Sequence, residues 1–271
     1  MAYDWVWLLT DYGRREGFVA ACHGVIARIA PAVRVEDITH EVPACDVRHA
    51  AVILAQTVPH LPPAVIVGVV DPGVGTRRRG VAIRAGGSVL VGPDNGLLGW
   101  AADALGGAST AVELTEPAFR LPSPARTFEG RDVFAPAAAH LAAGVALDAL
   151  GPAVPVEDLV RLAQPRVEVG PGRLDTEVLT IDRFGNVQLA ASMADLATAG
   201  LTAGMARIGP GGRPRVVAIG VTFADVAPGE LVLYVDSAGQ VALAVNGGDA
   251  AAELGLESGD PVTVTGESPL R

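Results

Sequence analysis

Apolar residues in the first half of the chain follow two spacings. Residues 5–10 and 64–70 are apolar runs followed directly by an aspartate, as in buried strands of a parallel sheet. Residues 17–29 and 47–58 instead carry apolar side chains at helical spacing. Further strands are predicted at residues 33–38, 81–83 and 89–91, and further helices at residues 97–105 and 133–143. The alternation predicts a layered α/β domain with helices on both faces of a mostly parallel sheet.

The pattern changes between residues 144 and 172, where glycine and proline recur. We predict an N-terminal α/β domain over residues 1–150, a linker over residues 151–172 and a C-terminal domain over residues 173–271. Beyond the linker, short strand-like runs occur at residues 174–181, 187–189, 216–221, 231–235, 241–245 and 262–264. Turn residues separate these runs, which predicts a small β-barrel or β-sandwich.

Composition excludes several functional classes. The formal net charge is -10 and the sequence contains no lysine, which argues against a nucleic-acid partner. No apolar run approaches the ~20 residues that span a bilayer, and the N-terminus lacks the basic region of a signal peptide. We therefore predict a cytoplasmic protein that does not bind membranes. The histidines, Cys22 and Cys45 show no metal-ligand spacing, so no metal is predicted and both cysteines are interpreted as buried thiols.

Acidic and amide side chains follow three of the predicted strands. Asp11 follows the first strand, Asp71 follows the central one, and Asp94 and Asn95 follow another. In open α/β sheets the crevice beyond the carboxyl ends of the strands is the usual ligand site. A carboxylate there can accept two hydrogen bonds from a ribose diol. Each turn taken alone also has an ordinary explanation, because Asp, Asn, Pro and Gly favour turns.

Two further clusters combine charge with other polar or aromatic groups. The first precedes a predicted helix and contains Glu129, Arg131 and Asp132. It is either a reactive cluster or a charged cap at the helix start. The second is a tight turn that carries Asp182, Phe184 and Asn186. It is either a ligand contact or an ordinary hairpin turn.

Together these motifs resemble the S-adenosylmethionine (SAM) hydroxide adenosyltransferases, also called SAM hydrolases, which are related to the fluorinase and the chlorinase. The matching segments are residues 10–13, 37–40, 71–76 with Arg78, 93–96, 127–136, 182–186, 234–237 and Asn246. The resemblance implies an enzyme that cleaves SAM at the ribose C5′ with water and yields adenosine and methionine. It implies no cofactor. It also implies a homotrimer whose sites lie between the N-terminal domain of one subunit and the C-terminal domain of the next.

The resemblance also implies roles for individual residues. Asp71, Arg78 and Glu129 would form the catalytic group that handles the water. Asp11 would hold the ribose hydroxyls. Contacts to other parts of the substrate are implied for Tyr12, Asn95, Asp182, Phe184, Asn186, Ser237 and Asn246.

The sequence departs from the family pattern at two of these positions. Glu129 stands where the family usually has histidine, so two carboxylates would share Arg78. Like charges at close range raise one pKa, and the two groups would titrate as a pair. Tyr12 replaces the usual phenylalanine. A SAM-binding sensor without catalysis is the alternative function. A halide-dependent adenosyltransferase is less favoured, because Gly130 offers no hydroxyl to a halide and Glu129 would repel it.

Overall fold

A computed structural model of the protein describes residues 2–123, 125–209 and 214–267. The chain forms two compact units, Met1–Leu162 and Ala163–Arg271. The division falls within residues 151–172, the segment that the sequence predicts as a linker. That segment is not free of regular structure, since one short strand on each side of the division joins the sheet of its own unit.

The N-terminal unit is built on a seven-stranded sheet. Its strands are β1 (Trp5–Thr10), β2 (Arg34–Thr39), β3 (Val65–Val69), β4 (Gly80–Ala85), β5 (Ser88–Pro93), β6 (Ala108–Glu113) and β7 (Ala153–Val154). Their order is β2-β1-β3-β5-β4-β6-β7. Strands β2, β1, β3 and β5 are parallel, whereas β4, β6 and β7 join through antiparallel pairs. Every residue of the central strand β3 is buried, as its continuous apolar run predicts.

Helices cover both faces of this sheet, as predicted. They are α1 (Phe18–Ile29), α2 (Val47–Thr57), α3 (Gly99–Ala104) and α4 (Ala135–Ala142). Helices α1 and α4 contribute to the apolar core on one face, and α2 and α3 contribute to the core on the other. Across the part of the chain that the structure describes, no helix has the length and apolar character needed to cross a membrane.

Helix α4 begins later than predicted, because a π-helical turn, Gly130–Phe134, precedes it. Pro136 has no N–H to donate and its ring disfavours the ordinary helical bond to the carbonyl four residues earlier. That carbonyl, on Asp132, instead accepts a hydrogen bond from the Leu121 N–H at 2.9 Å. The irregular turn lies beside the candidate site, where such π-bulges are often found.

The C-terminal unit is a β-barrel, which decides between the two predicted alternatives. Its strands are β8 (Val167–Gly170), β9 (Arg173–Ile181), β10 (Val187–Ser192), β11 (Gly204–Gly209), β12 (Arg215–Ile219), β13 (Leu231–Val235), β14 (Gln240–Val245) and β15 (Pro261–Gly266). The order is β10-β14-β13-β12-β11-β15-β9-β8, and an additional β9–β10 pairing closes a seven-stranded barrel with β8 outside it. Two short helices, α5 (Met193–Thr198) and α6 (Ala250–Leu254), complete the unit.

Candidate active site

The parallel strands bring two of the predicted carboxylates to one edge of the sheet. Thr10 at the end of β1 pairs in register with Val69 at the end of β3, so the loops that follow begin side by side. Asp11 and Asp71 lie in these loops and line a common pocket of about 230 Å³. Its remaining lining residues are Tyr12, Phe18, Val69, Val74, Thr127, Phe128, Glu129 and Gly130.

Arg78 joins the two carboxylates of the predicted catalytic group. Its Nε donates to Asp71 Oδ1 at 3.1 Å, and its Nη2 donates to Asp71 Oδ2 and, at 2.6 Å, to Glu129 Oε2. The side chains of all three residues are at most 8% exposed. Two-pronged contacts of this kind fix a carboxylate in orientation as well as position. The structure therefore brings Asp71, Arg78 and Glu129 together, and their catalytic roles remain predictions.

A compact turn directs Arg78 back toward Asp71. The Thr76 hydroxyl donates to the Gly73 carbonyl at 2.7 Å and accepts from the Arg78 N–H at 3.2 Å. Gly75 has a φ of +79°, a left-handed conformation that favours glycine. The glycines and the threonine of this segment thus place a guanidinium beside the carboxylate seven positions earlier.

Asp11 is oriented by a backbone group that sequence analysis did not identify. The Cys45 N–H donates to Asp11 Oδ2 at 2.9 Å. Within the described ranges Cys45 is the single non-glycine residue with positive φ, at 64°, a conformation that is uncommon for such residues. The prediction of a buried thiol holds for Cys22 and is wrong for Cys45, which is exposed because it lies in the tight turn before α2.

Asp37, His40 and the more distant His23 form a polar cluster. Asp37 Oδ1 lies 2.8 Å from His23 Nε2 and 3.0 Å from His40 Nε2. Burial opposes ionisation of Asp37, but the contacts with His40 and His23 outweigh it and lower the pKa of Asp37. His40 Nδ1 lies 2.8 Å from the Thr10 hydroxyl, which accepts from the Tyr12 N–H. Ligand atoms of Asp37, His23 and His40 lie within 4.8 Å of one another, close enough to hold a metal ion, and the expectation of no metal remains a prediction.

Asn95 bonds to backbone groups at the strand ends. Its Nδ2 donates to the Val70 carbonyl at 2.8 Å, and its Oδ1 accepts from the Leu97 N–H at 3.2 Å. The side chain thus ties the end of β3 to the turn after β5. Asn95 is not among the residues that line the pocket, so the structure does not place it with Asp11 and Asp71.

The candidate residues of the C-terminal unit form a self-contained turn. Asp182 Oδ1 accepts from the N–H groups of Phe184 and Asn186 at 2.8 and 2.9 Å. Asp182 Oδ2 accepts from Asn186 Nδ2 at 2.8 Å. The Phe184 ring is 65% exposed, and the Arg183 guanidinium lies 4.9 Å from its centroid. The turn presents an aromatic face to its surroundings.

Ser237 and Asn246 lie at opposite ends of β14. Asn246 directly follows β14, and its Nδ2 donates to the Val226 carbonyl at 2.8 Å. Ile181 and Leu243 both pair with Val187, so Asn246 and the Asp182 turn share one end of the barrel. Ser237 belongs to the turn that precedes β14. The fold therefore groups Asn246, and not Ser237, with the Asp182 turn.

Both parts of the chain match domains of one known protein family. The N-terminal domain of the SAM hydroxide adenosyltransferase family matches residues 6–151, and its C-terminal domain matches residues 176–263. The chain belongs to this family.

Two relatives and one solved structure show how far the similarity to the SAM hydroxide adenosyltransferases extends. The (R)-S-adenosyl-L-methionine hydrolase of Salinispora arenicola (strain CNS-205) is 55% identical over 261 residues, covering 96% of this chain and 97% of that protein. The protein of that name from Thermus thermophilus is 43% identical over 268 residues, covering 95% and 98%. The crystal structure of an uncharacterized conserved protein from Thermotoga maritima has a TM-score of 0.90 at 33% identity, covering 96% and 100%.

Glu129 contributes to the electrostatics of the site beside burial and Arg78. Asp71, Arg78 and Glu129 carry two carboxylates and one guanidinium. Burial is the main influence that raises the pKa of Asp71; Arg78 lowers it in part, and the negative charge of Glu129 raises it again. The net effect leaves Asp71 a stronger base than an exposed aspartate, which suits a group that must accept a proton.

Proposed function

We propose that this chain hydrolyses SAM at the ribose C5′ carbon to give adenosine and L-methionine. The observation that carries this proposal is the buried Asp71–Arg78–Glu129 group, two of whose members line the same pocket as Asp11. Family membership and the names of the two relatives support the same substrate and reaction.

The proposed step is an in-line displacement. The water oxygen bonds to C5′ as the C5′–S bond breaks, and the bonding electron pair moves to sulfur, so methionine leaves as a neutral thioether. The proton of the water passes to the Asp71 carboxylate, which Arg78 holds in place. Asp11 accepts hydrogen bonds from the ribose hydroxyls. Placement of the water and exclusion of bulk solvent supply much of the acceleration. The step needs no cofactor, because the sulfonium is already a good leaving group.

We extend the proposal to the substrate contacts and the assembly. Phe184 and Asn186 would contact the adenosyl or methionine parts, with Asp182 holding their turn in place. Ser237 and Asn246 would complete the site, as the family resemblance implies. The pocket of the N-terminal unit would receive these groups from a neighbouring subunit of a homotrimer, and the enzyme would act in the cytoplasm.

The relatives' names also suggest which form of the substrate is used. They specify (R)-S-adenosyl-L-methionine. The prefix L already fixes the α-carbon, so R describes the sulfonium sulfur. We propose the same preference here. Comparing kcat/KM for the two sulfonium epimers tests it, and equal values for both would contradict it.

The decisive experiment for the reaction is incubation with SAM containing both sulfonium epimers in ¹⁸O-enriched water. Adenosine labelled at the 5′ oxygen, together with unlabelled methionine, is the expected outcome, and the Asp71→Asn variant is the control that should release both about 10³-fold more slowly. Intact SAM that stays bound would instead indicate a sensor, an alternative kept open by Glu129 in place of the family histidine. A chloride-dependent halogenated nucleoside would indicate halide transfer.

A further inference from the structure

The hydrolysis proposed above does not use the Tyr12 hydroxyl. Tyr12 lines the pocket together with Asp71 and Glu129. Its ring packs edge-on against Phe18 and Phe128, with centroids 6.0 and 5.6 Å away. No residue in the described ranges is hydrogen-bonded to the Tyr12 hydroxyl. A fixed polar atom without a protein partner is therefore present in the pocket that holds the catalytic carboxylates.

The hydroxyl has a defined position because it lies directly over the backbone of Gly130. A Cβ atom added to Gly130 would lie 2.1 Å from Tyr12 Oη, whereas the next nearest atom, Tyr12 Cζ, would be 3.0 Å away. A side chain at position 130 and a hydroxyl at position 12 thus compete for the same space. Gly130 directly follows Glu129, so the phenol oxygen lies close to the start of the π-helical turn.

The phenol serves as a donor and not as a base. Burial raises the pKa of Tyr12 well above its ordinary value, and the neighbouring charges of Asp11 and Asp71 raise it further. The hydroxyl therefore keeps its proton throughout the neutral range. Asp71 and Glu129, when ionised, can only accept hydrogen bonds. Tyr12 supplies a donor that these two carboxylates cannot.

We propose that the Tyr12 hydroxyl donates a hydrogen bond to the attacking water. This inference rests on the proposed hydrolysis. The water directs its hydrogens at the carboxylates, accepts the Tyr12 hydrogen bond with one lone pair, and attacks C5′ with the other. As the C5′–O bond forms and the C5′–S bond breaks, Asp71 takes the water's proton and Tyr12 keeps its own. Tyr12 is then a catalytic residue, and its contact with Gly130 fixes where the water stands.

Tyr12→Phe tests the hydroxyl alone, because the ring retains its contacts with Phe18 and Phe128. We expect kcat to fall about tenfold while KM changes less than about twofold, the size expected for one lost hydrogen bond in the transition state. Tyr3→Phe is the matched control, since Tyr3 is a buried tyrosine that is not among the residues lining the pocket, and its substitution should leave kcat unchanged. A wild-type kcat for Tyr12→Phe, or a raised KM with kcat unchanged, would overturn the proposal.

Gly130→Ala tests the contact between Gly130 and the Tyr12 hydroxyl. In the wild-type background its methyl group meets the Tyr12 hydroxyl, and we expect kcat to fall about 100-fold. In the Tyr12→Phe background the hydroxyl is gone, so Gly130→Ala should cost less than about threefold further. Equal losses in both backgrounds would overturn the assigned contact. If the wild type releases no adenosine, the proposed function fails instead, and the same cycle measured as melting temperature still tests the contact.

Discussion

The pocket of the N-terminal unit and the Asp182 turn of the C-terminal unit use acidic groups in opposite ways. In the pocket, Asp71 and Glu129 are buried and come from different parts of the chain, and Arg78, from the same loop as Asp71, joins them. In the turn, the hydrogen bonds that the described residues make to the Asp182 carboxylate all lie within five residues, and the adjacent ring is mostly exposed. Burial alters the basicity of Asp71, which suits chemistry, whereas the turn holds an aromatic surface in place, which suits recognition.

The largest expected effect comes from removing the base. Asp71→Asn keeps the shape of the side chain but cannot accept the proton, so kcat should fall about 10³-fold, within the range for loss of a general base. Single-turnover release of adenosine measures the change. If Asp71→Asn and Phe184→Ala proved equally active, the proposed division between chemistry and recognition would be wrong.

The melting temperature of Asp71→Asn is the control for the stability of the fold. The folded-state pKa of Asp71 is raised, so its contribution to stability is greatest at low pH and is lost as pH rises through that pKa. At neutral pH the variant no longer carries the unfavourable buried charge but loses one hydrogen bond from Arg78, so Asp71→Asn should change the melting temperature only slightly. A clearly lower melting temperature would mean that the activity loss reflects damage to the fold.

Glu129→Gln should produce a smaller effect that depends on pH. Glu129 raises the pKa of Asp71, so removing its charge lowers that pKa and makes Asp71 a weaker base. Because catalysis needs ionised Asp71, the acid limb of the kcat/KM profile should move to lower pH, and the plateau should fall about tenfold. Glu157→Gln, at an exposed position of the same unit, is the control. An acid limb at the wild-type pH would mean that Glu129 does not influence the pKa of Asp71.

Phe184→Ala should affect binding and not chemistry. An aromatic ring that stacks on a base contributes about 1–3 kcal/mol, so KM should rise about tenfold while single-turnover chemistry at saturating SAM is preserved. The ring is 65% exposed, and its loss should not lower the melting temperature. Met193→Ala removes a similarly exposed apolar side chain, at 62%, from the same unit as a control. An unchanged KM would contradict a role for this turn in recognition.

Strong apolar patterns accounted for most of the fold. The predicted strand at residues 5–10 coincides with β1, and the fully apolar run at residues 64–70 contains β3. Strand β11 was missed because it begins and ends with glycine and buries only Ala206 and Ile208. The short helices α5 and α6 were missed because six and five residues are too few to establish helical periodicity.

The candidate site was predictable only in part. Asp11 and Asp71 meet because parallel strands β1 and β3 end at one edge, a consequence of topology that the strand pattern contains. The Cys45 N–H on Asp11 and the Tyr12 hydroxyl over Gly130 depend on backbone geometry that no residue pattern encodes. Asn95 shows the opposite case, because this polar residue at a strand end bonds to backbone groups, and its predicted contact with the substrate stays a prediction.

Asn95→Ala should have the smallest effect on activity. This variant tests whether Asn95 contacts the substrate or only stabilises the turn. The two hydrogen bonds of its side chain to Val70 and Leu97 stabilise the turn. Their loss should lower the free energy of unfolding by about 2 kcal/mol, with KM and kcat each within about twofold of the wild type. Denaturant unfolding and steady-state kinetics measure the two quantities. Asn95→Asp retains the acceptor for the Leu97 N–H but places a carboxylate oxygen against the Val70 carbonyl, so it should lose at least as much stability as Asn95→Ala. A tenfold rise in KM at unchanged stability would restore Asn95 to the substrate site and extend the pocket across the ends of three strands.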